Sequence, residues 1–264
     1  MIVVNRLCRG YRKSANELST RIKKFHNNPT PDNVHDLRTT IRRLEAIIEL
    51  FPRKIRNQKN LEKYLSACRK LFRATTPVRD LDVVRQSIEN YSGSTGSGNV
   101  TSIMQIERNH LISNSYRFAE VALRIKPPRI SKRDITAKKI KKRQSKIVKK
   151  LLAKLQEELP IVLSDFRRVR ELHDVRKDCK RLRYILELFP SKNNEDLLKL
   201  MQDWQALLGK VRDIDVSEKF AIDRGLSEEL EAVLFELRIS RDKMLGTFSN
   251  KVKLEENNLQ VELS

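Results

Sequence analysis

The feature that most constrains this chain is a repeat. Val34-His35-Asp36-Leu37-Arg38 opens a segment that ends in Glu49-Leu50-Phe51-Pro52, and 138 residues later Leu172-His173-Asp174-Val175-Arg176 opens one that ends in Glu187-Leu188-Phe189-Pro190. Between His35 and Pro52, ten of eighteen positions are identical in the second segment, and Arg42 is matched in charge by Lys180. A second pair follows in the same order: Val78-Arg79-Asp80-Leu81-Asp82-Val83 and Val211-Arg212-Asp213-Ile214-Asp215-Val216. Two motifs repeated in one order mark an internal duplication, so both halves should fold alike.

Each half reads as a series of helices. Gly and Pro are few, seven and eight in 264 residues, and no alternating strand pattern of useful length occurs. A basic amphipathic helix is expected over about 3–27 and again over 135–158, ended near Pro29 and Pro160. The His helix follows, stopped by Pro52 and Pro190. A third helix covers about 59–75 and 195–208, with Gly209 as a C-terminal stop. A short helix then begins at each Arg-Asp pair, where Asp80 and Asp213 suit N-caps. A long last helix covers 100–126 and 227–254. The stretch from Tyr91 to Gly98, rich in Ser and Gly, reads as a flexible surface loop, and Lys126-Pro127-Pro128-Arg129 divides the halves into 1–127 and 128–264. The fold class is all-α, two packed helical bundles.

At 100° per residue the His helix splits into two faces. Leu37, Ile41, Leu44, Ile48 and Phe51 share one side, repeated by Val175, Cys179, Leu182, Leu186 and Phe189. Opposite lie His35, Arg38 and Arg42, with Arg43 beside them, and in the second copy His173, Arg176, Lys177, Lys180, Arg183 and Tyr184. Stacked like charges destabilise a helix, so a stripe present in both copies points to an anion that neutralises it. Glu49, Glu187 and, at the edge, Glu45 are the acids in these stripes. Two other helices repeat the design: Lys139, Lys142, Lys146 and Lys150 oppose Val148, Leu151, Leu152 and Leu155, while Lys63, Lys70 and Arg73 oppose Leu61, Leu65, Cys68 and Phe72. A protonated His35 or His173 would donate two hydrogen bonds to phosphate oxygens. Arg79 and Arg212 could reach the anion or pair with an acid on a neighbouring helix.

The net charge is +21, of which +14 falls between Ile125 and Arg183. Such a field attracts polyanions: nucleic acid, an anionic membrane or polymeric phosphate. The three cysteines, Cys8, Cys68 and Cys179, lack the spacing of a metal site and the number for a disulfide framework. No apolar run is long enough to span a membrane, so a cytoplasmic protein is expected.

The motifs His35-x-x-Arg38-x-x-x-Arg42-Arg43-Leu44 and His173-x-x-Arg176-Lys177-x-x-Lys180-Arg181-Leu182-Arg183-Tyr184, each followed by Val-Arg-Asp-x-Asp-Val, resemble those of the CHAD family, the conserved-histidine α-helical domain. The resemblance extends over essentially the whole chain. It implies two four-helix bundles about a pseudo-twofold axis, with basic residues facing a central channel that binds inorganic polyphosphate, and no catalysis, cofactor or metal. A monomer in the cytoplasm, associated with polyphosphate granules, is the expectation. The chain departs from the motif in its first copy, where Glu45 and Ala46 stand in place of Arg183 and Tyr184, so the second His helix is expected to contribute more. Nucleic acid is the alternative partner. Aromatic residues are only 6% of the chain, and Tyr184 is the one aromatic of the basic faces, which leaves few platforms for stacking bases. A phosphotransferase would need positioned carboxylates or an activated nucleophile, which the basic faces do not supply.

Overall fold

A computed structural model describes residues 2–91, 98–191 and 194–261. Ten helices account for nearly all of them: α1 (Ile2–Asn27), α2 (Pro31–Glu49), α3 (Arg53–Arg56), α4 (Lys59–Ala74), α5 (Thr76–Tyr91), α6 (Gly98–Arg124), α7 (Ala137–Ser164), α8 (Val169–Leu188), α9 (Glu195–Asp223) and α10 (Glu231–Val261). Among the described residues there is no strand, and no helix is long and apolar enough to cross a membrane. The expected loop between Tyr91 and Gly98 falls at residues 92–97, outside the described residues.

Local chemistry explains the start of the first His helix. Thr30 adopts extended backbone and its hydroxyl accepts from the Asn33 amide, Pro31 occupies the first turn, and Asp32 meets the positive end of the helix dipole. Three expected boundaries moved. Pro160 lies inside α7, because buried Leu159 before it and Val162 beyond it anchor the helix on both sides. Gly209 lies inside α9 and does not end it. Glycine costs a helix about 1 kcal/mol, less than burying Val211 and Ile214 on the next turn returns. Consequently Asp213 is an interior residue of α9, and Asp80 sits in the second turn of α5, which begins at Thr76; neither is an N-cap. The real end of α9 comes at Gly225, whose φ of 67° permits the reversal that lets Leu226 donate to the Ala221 carbonyl and Gly225 to that of Ile222.

The chain divides into two compact units. Unit 1 comprises Met1–Asp82 and Gly98–Ser145, and unit 2 comprises Val83–Ser97 and Lys146–Ser264. In unit 1, α1 packs on α2 and α6, and α4 on α2 and α6. Leu7, Tyr11, Leu18, Ile22 and Phe25 form the buried stripe of α1, and the Tyr11 ring meets Phe51 edge-on at 5.9 Å between centroids. In unit 2, α9 packs against both α8 and α10, with Trp204 and Phe248 edge to face at 5.7 Å. Lys154 of α7 bridges to Asp178 of α8 at 2.6 Å. All three cysteines are buried, and desolvation pushes the thiol of Cys68 up to about 12.

Candidate polyanion-binding faces

The expected apolar stripes are buried: Leu37, Ile41, Leu44 and Phe51 on one copy, Val175, Cys179, Leu182 and Leu186 on the other. The cationic residues opposite them are used differently in the two units.

In unit 1, Arg38 is drawn into the end of α4. Its Nη1 donates to the Phe72 carbonyl at 2.6 Å, to Thr76 Oγ1 at 3.0 Å and to Thr75 Oγ1 at 3.3 Å. That carbonyl lies in the last turn of α4, where the chain breaks between Ala74 and Thr76 ahead of Pro77, which has no N–H to carry the helix on. A guanidinium on the carbonyl end of a helix also complements its dipole. Arg38 and Arg42 stack on the Phe72 ring, 3.9 and 4.0 Å from its centroid, so Phe72 is a bed for two cations from α2 and only partly a core residue. Glu45 then neutralises part of the face, bonding Arg42 at 2.9 Å and Arg69 at 2.8 Å. His35, Arg43, Lys63, Lys70 and Arg73 are exposed, as are Lys139 and Lys142 at the start of α7. Arg143, beside them, caps α2 by donating to the Glu49 carbonyl.

In unit 2 the counterpart of Arg38 is Arg176. The second motif is offset by 133 residues, so Gly209 stands where Thr76 stands and Lys210 where Pro77 stands. Here α9 runs straight through, and the Arg176 Nε lies 3.9 Å from the position a Cβ on Gly209 would take. His173 is half-buried nearby, and its pKa falls to about 4, through desolvation first and then the positive charges of Lys177, Arg176 and Arg212, partly opposed by Asp174. Arg212, left open by the sequence, therefore belongs to this cluster; its side chain also approaches Asp213 at 3.4 Å. Local acids are closer than the helical wheel indicated: Asp174 pairs with Lys177 at 2.5 Å and Glu187 with Arg183 at 3.2 Å. Lys180 is half-buried, while Lys146 and Lys150 are exposed on α7. Tyr184 departs most from the wheel. It is 4% exposed and lies under Arg183 and Lys180 at 4.8 and 5.8 Å. Its place is that of a support for cations.

The Arg-Asp motif has a role that sequence reasoning missed, carried by its second acid. Asp82 accepts from Arg108 Nε of α6 at 2.5 Å, and the other end of that guanidinium donates to the Pro29 carbonyl at 2.7 Å. In unit 2, Asp215 accepts from Arg241 Nε of α10 at 2.7 Å, and Arg241 donates to the Phe166 carbonyl at 3.0 Å. Both carbonyls lie just before the His helix of their unit, so each clasp fixes how that helix starts. Asp82 and Arg108 are 1% and 10% exposed, and burial raises the pKa of Asp215 although Arg241 opposes it. The signal was present: an acid and an arginine 26 residues apart in both copies.

The CHAD domain profile matches residues 12–221. No curated protein sequence gives a significant match. Among solved structures, the chain is similar to the crystal structure of the CHAD domain from the plant Ricinus communis, with a TM-score of 0.65 and 17% identity over 98% of this chain and 90% of that one. At that identity the likeness concerns the fold alone. With four-fifths of its length inside the profile and the duplicated His motif in both units, the chain belongs to the CHAD family.

Proposed function

We propose that this protein binds inorganic polyphosphate without transforming it, and that the α8–α9 face of unit 2 is its stronger binding surface. The observation that carries the proposal is the convergence of Arg176, Lys177 and Arg212 on a half-buried His173, where burial first and these charges second hold the imidazole neutral down to about pH 4. Such a cluster costs free energy in the empty protein, and a polyanion relieves it while raising the histidine toward its charged, doubly donating form. Polyphosphate suits the faces better than single-stranded nucleic acid. The Phe72 ring is already covered by two guanidinium groups and Tyr184 is buried, so neither offers its face to a base. A cytoplasmic binding module, recruited to polyphosphate deposits, is the role consistent with this chemistry.

Competition decides between the two polymers. Long-chain polyphosphate should displace DNA of equal total charge at about 0.15 M salt, with an affinity advantage of roughly tenfold or more and a steep decline as salt rises. Equal or tighter binding of DNA would transfer the proposal to nucleic acid.

A further inference from the structure

One region of unit 2 reverses the character of the rest of the chain. From Ile222 to Ile239, five acids (Asp223, Glu228, Glu229, Glu231 and Glu236) stand against two bases, Arg224 and Arg238, the latter paired with Glu218, in a protein of net charge +21. The same region presents large apolar side chains to solvent: Ile222 and Phe235 are each 60% exposed and Ile239 is 51% exposed.

These residues share a surface. Ion pairs between α9 and α10 fix an antiparallel register, Asp203 with Lys251, Asp215 with Arg241 and Glu218 with Arg238, each at 2.6–2.7 Å. The sum of each pair's residue numbers is nearly constant, which sets Ile222, one turn beyond Glu218, across from Phe235, three residues before Arg238. Ile239 is one turn further along α10, and Glu231 one turn earlier, so an acid and two apolar groups follow one another along a single stripe. Tyr91 lies at the edge of this stripe, its hydroxyl 3.4 Å from Ser240 Oγ. An exposed apolar patch set among more acids than bases marks an interaction surface, and an exposed Phe within it is the kind of side chain that anchors one.

We propose that the acidic, apolar face of the α9–α10 hairpin docks a basic amphipathic helix of a partner protein. Charge decides the occupant. The acids repel polyphosphate, nucleic acid and anionic lipid, all of which the basic faces attract, whereas a helix with apolar residues at i, i+3 and i+4 flanked by Lys or Arg matches both the stripe and its rim. Three apolar anchors make a small interface, suited to transient association. The face is separate in charge and in residues from the cluster around His173, so one protein could hold a phosphate polymer and a basic partner together.

The probe is a synthetic helical peptide of about 16 residues with Leu on one face and Lys on the other, titrated into the full chain and followed by fluorescence anisotropy. Binding is expected in the micromolar range, weakened roughly tenfold by Phe235→Ser with Ile239→Ser and by Glu231→Lys with Glu236→Lys. The matched peptide with Glu in place of Lys should not bind. Circular dichroism should show both variants helical, since all four side chains are exposed, and polyphosphate affinity of the Ser variant should stay within about twofold. Absence of binding, or equal binding to the variants, overturns the proposal. So does a wild-type dimer in sedimentation that the Ser variant dissolves, because the occupant would then be a second copy of this chain.

Discussion

Arg38 and Arg176 occupy the same place in the same motif, yet the two units use them for different ends. In unit 1 the arginine terminates α4, bonded to a carbonyl and two hydroxyls and lying on Phe72. In unit 2 the helix it faces never stops, and its charge bears on His173 together with those of Lys177 and Arg212. The difference traces to two adjacent positions, Thr76-Pro77 against Gly209-Lys210. A motif residue's role is thus set by what the facing helix offers it. The first copy stabilises its own fold with a cation that the second keeps within a charged cluster.

The comparison can be broken first where the units are alike. The clasps Asp82–Arg108–Pro29 and Asp215–Arg241–Phe166 make the same bonds, so Arg108→Ala and Arg241→Ala should each destabilise by about 3–5 kcal/mol, because each strands a carboxylate that water reaches poorly. Chemical denaturation followed by circular dichroism measures both. A loss confined to one variant would end the claim that the duplicated clasp does the same work twice.

Where the units differ, the same substitution should separate stability from affinity. Arg38→Ala removes a helix-end contact and should cost about 1–2 kcal/mol of stability, with little change in polyphosphate binding. Arg176→Ala should instead weaken binding roughly tenfold by calorimetry, the equivalent of about 1.4 kcal/mol. Equal affinity losses from both would show that the units contribute alike.

A smaller effect sharpens the account of His173. Its pKa of about 4 in the empty protein lies below the ordinary 6.5, so the unfolded chain takes up the proton first. Stability of the free protein is therefore full above pH 6.5 and declines as pH falls from 6.5 toward 4. Binding works in the opposite sense, because a polyanion raises this pKa and the complex takes up a proton. Affinity should rise a few-fold as pH falls from about 7 to 5.5, and His173→Asn should flatten that slope. The groups acting on the imidazole are Lys177, Arg176 and Asp174 on α8 and Arg212 on α9. A slope that survives His173→Asn would assign the pH dependence to other groups.

Much of this was legible in sequence because periodicity and duplication are local signals. The wheel of the His helix named the buried faces, and the repeat named the cationic ones. What escaped depended on neighbours distant in sequence. Gly209 and Pro160 looked like helix ends because propensity is local, while the burial of Val211 and Val162 that overrides it is not. Phe72 was correctly grouped as apolar, but its cover comes from arginines 30 and more residues away. Tyr184 looked exposed because a wheel assumes one covered face, and Tyr184 is buried outside it. The clasps were hidden because Asp82 meets Arg108, and Asp215 meets Arg241, only once the later helix packs back across 26 residues of chain.

The clasps also bear on how the molecule breathes. Each ties the segment just ahead of a His helix to a helix that comes much later in its unit, through a desolvated pair that water reaches poorly. Fraying of α2 or α8 from its N-terminal end cannot then proceed alone; it has to carry α6 or α10 with it. Amide protons in those first turns should exchange with solvent only through openings that engage most of the unit, so the cationic residues a turn or two further on are presented from a backbone that stays closed on the timescale of binding.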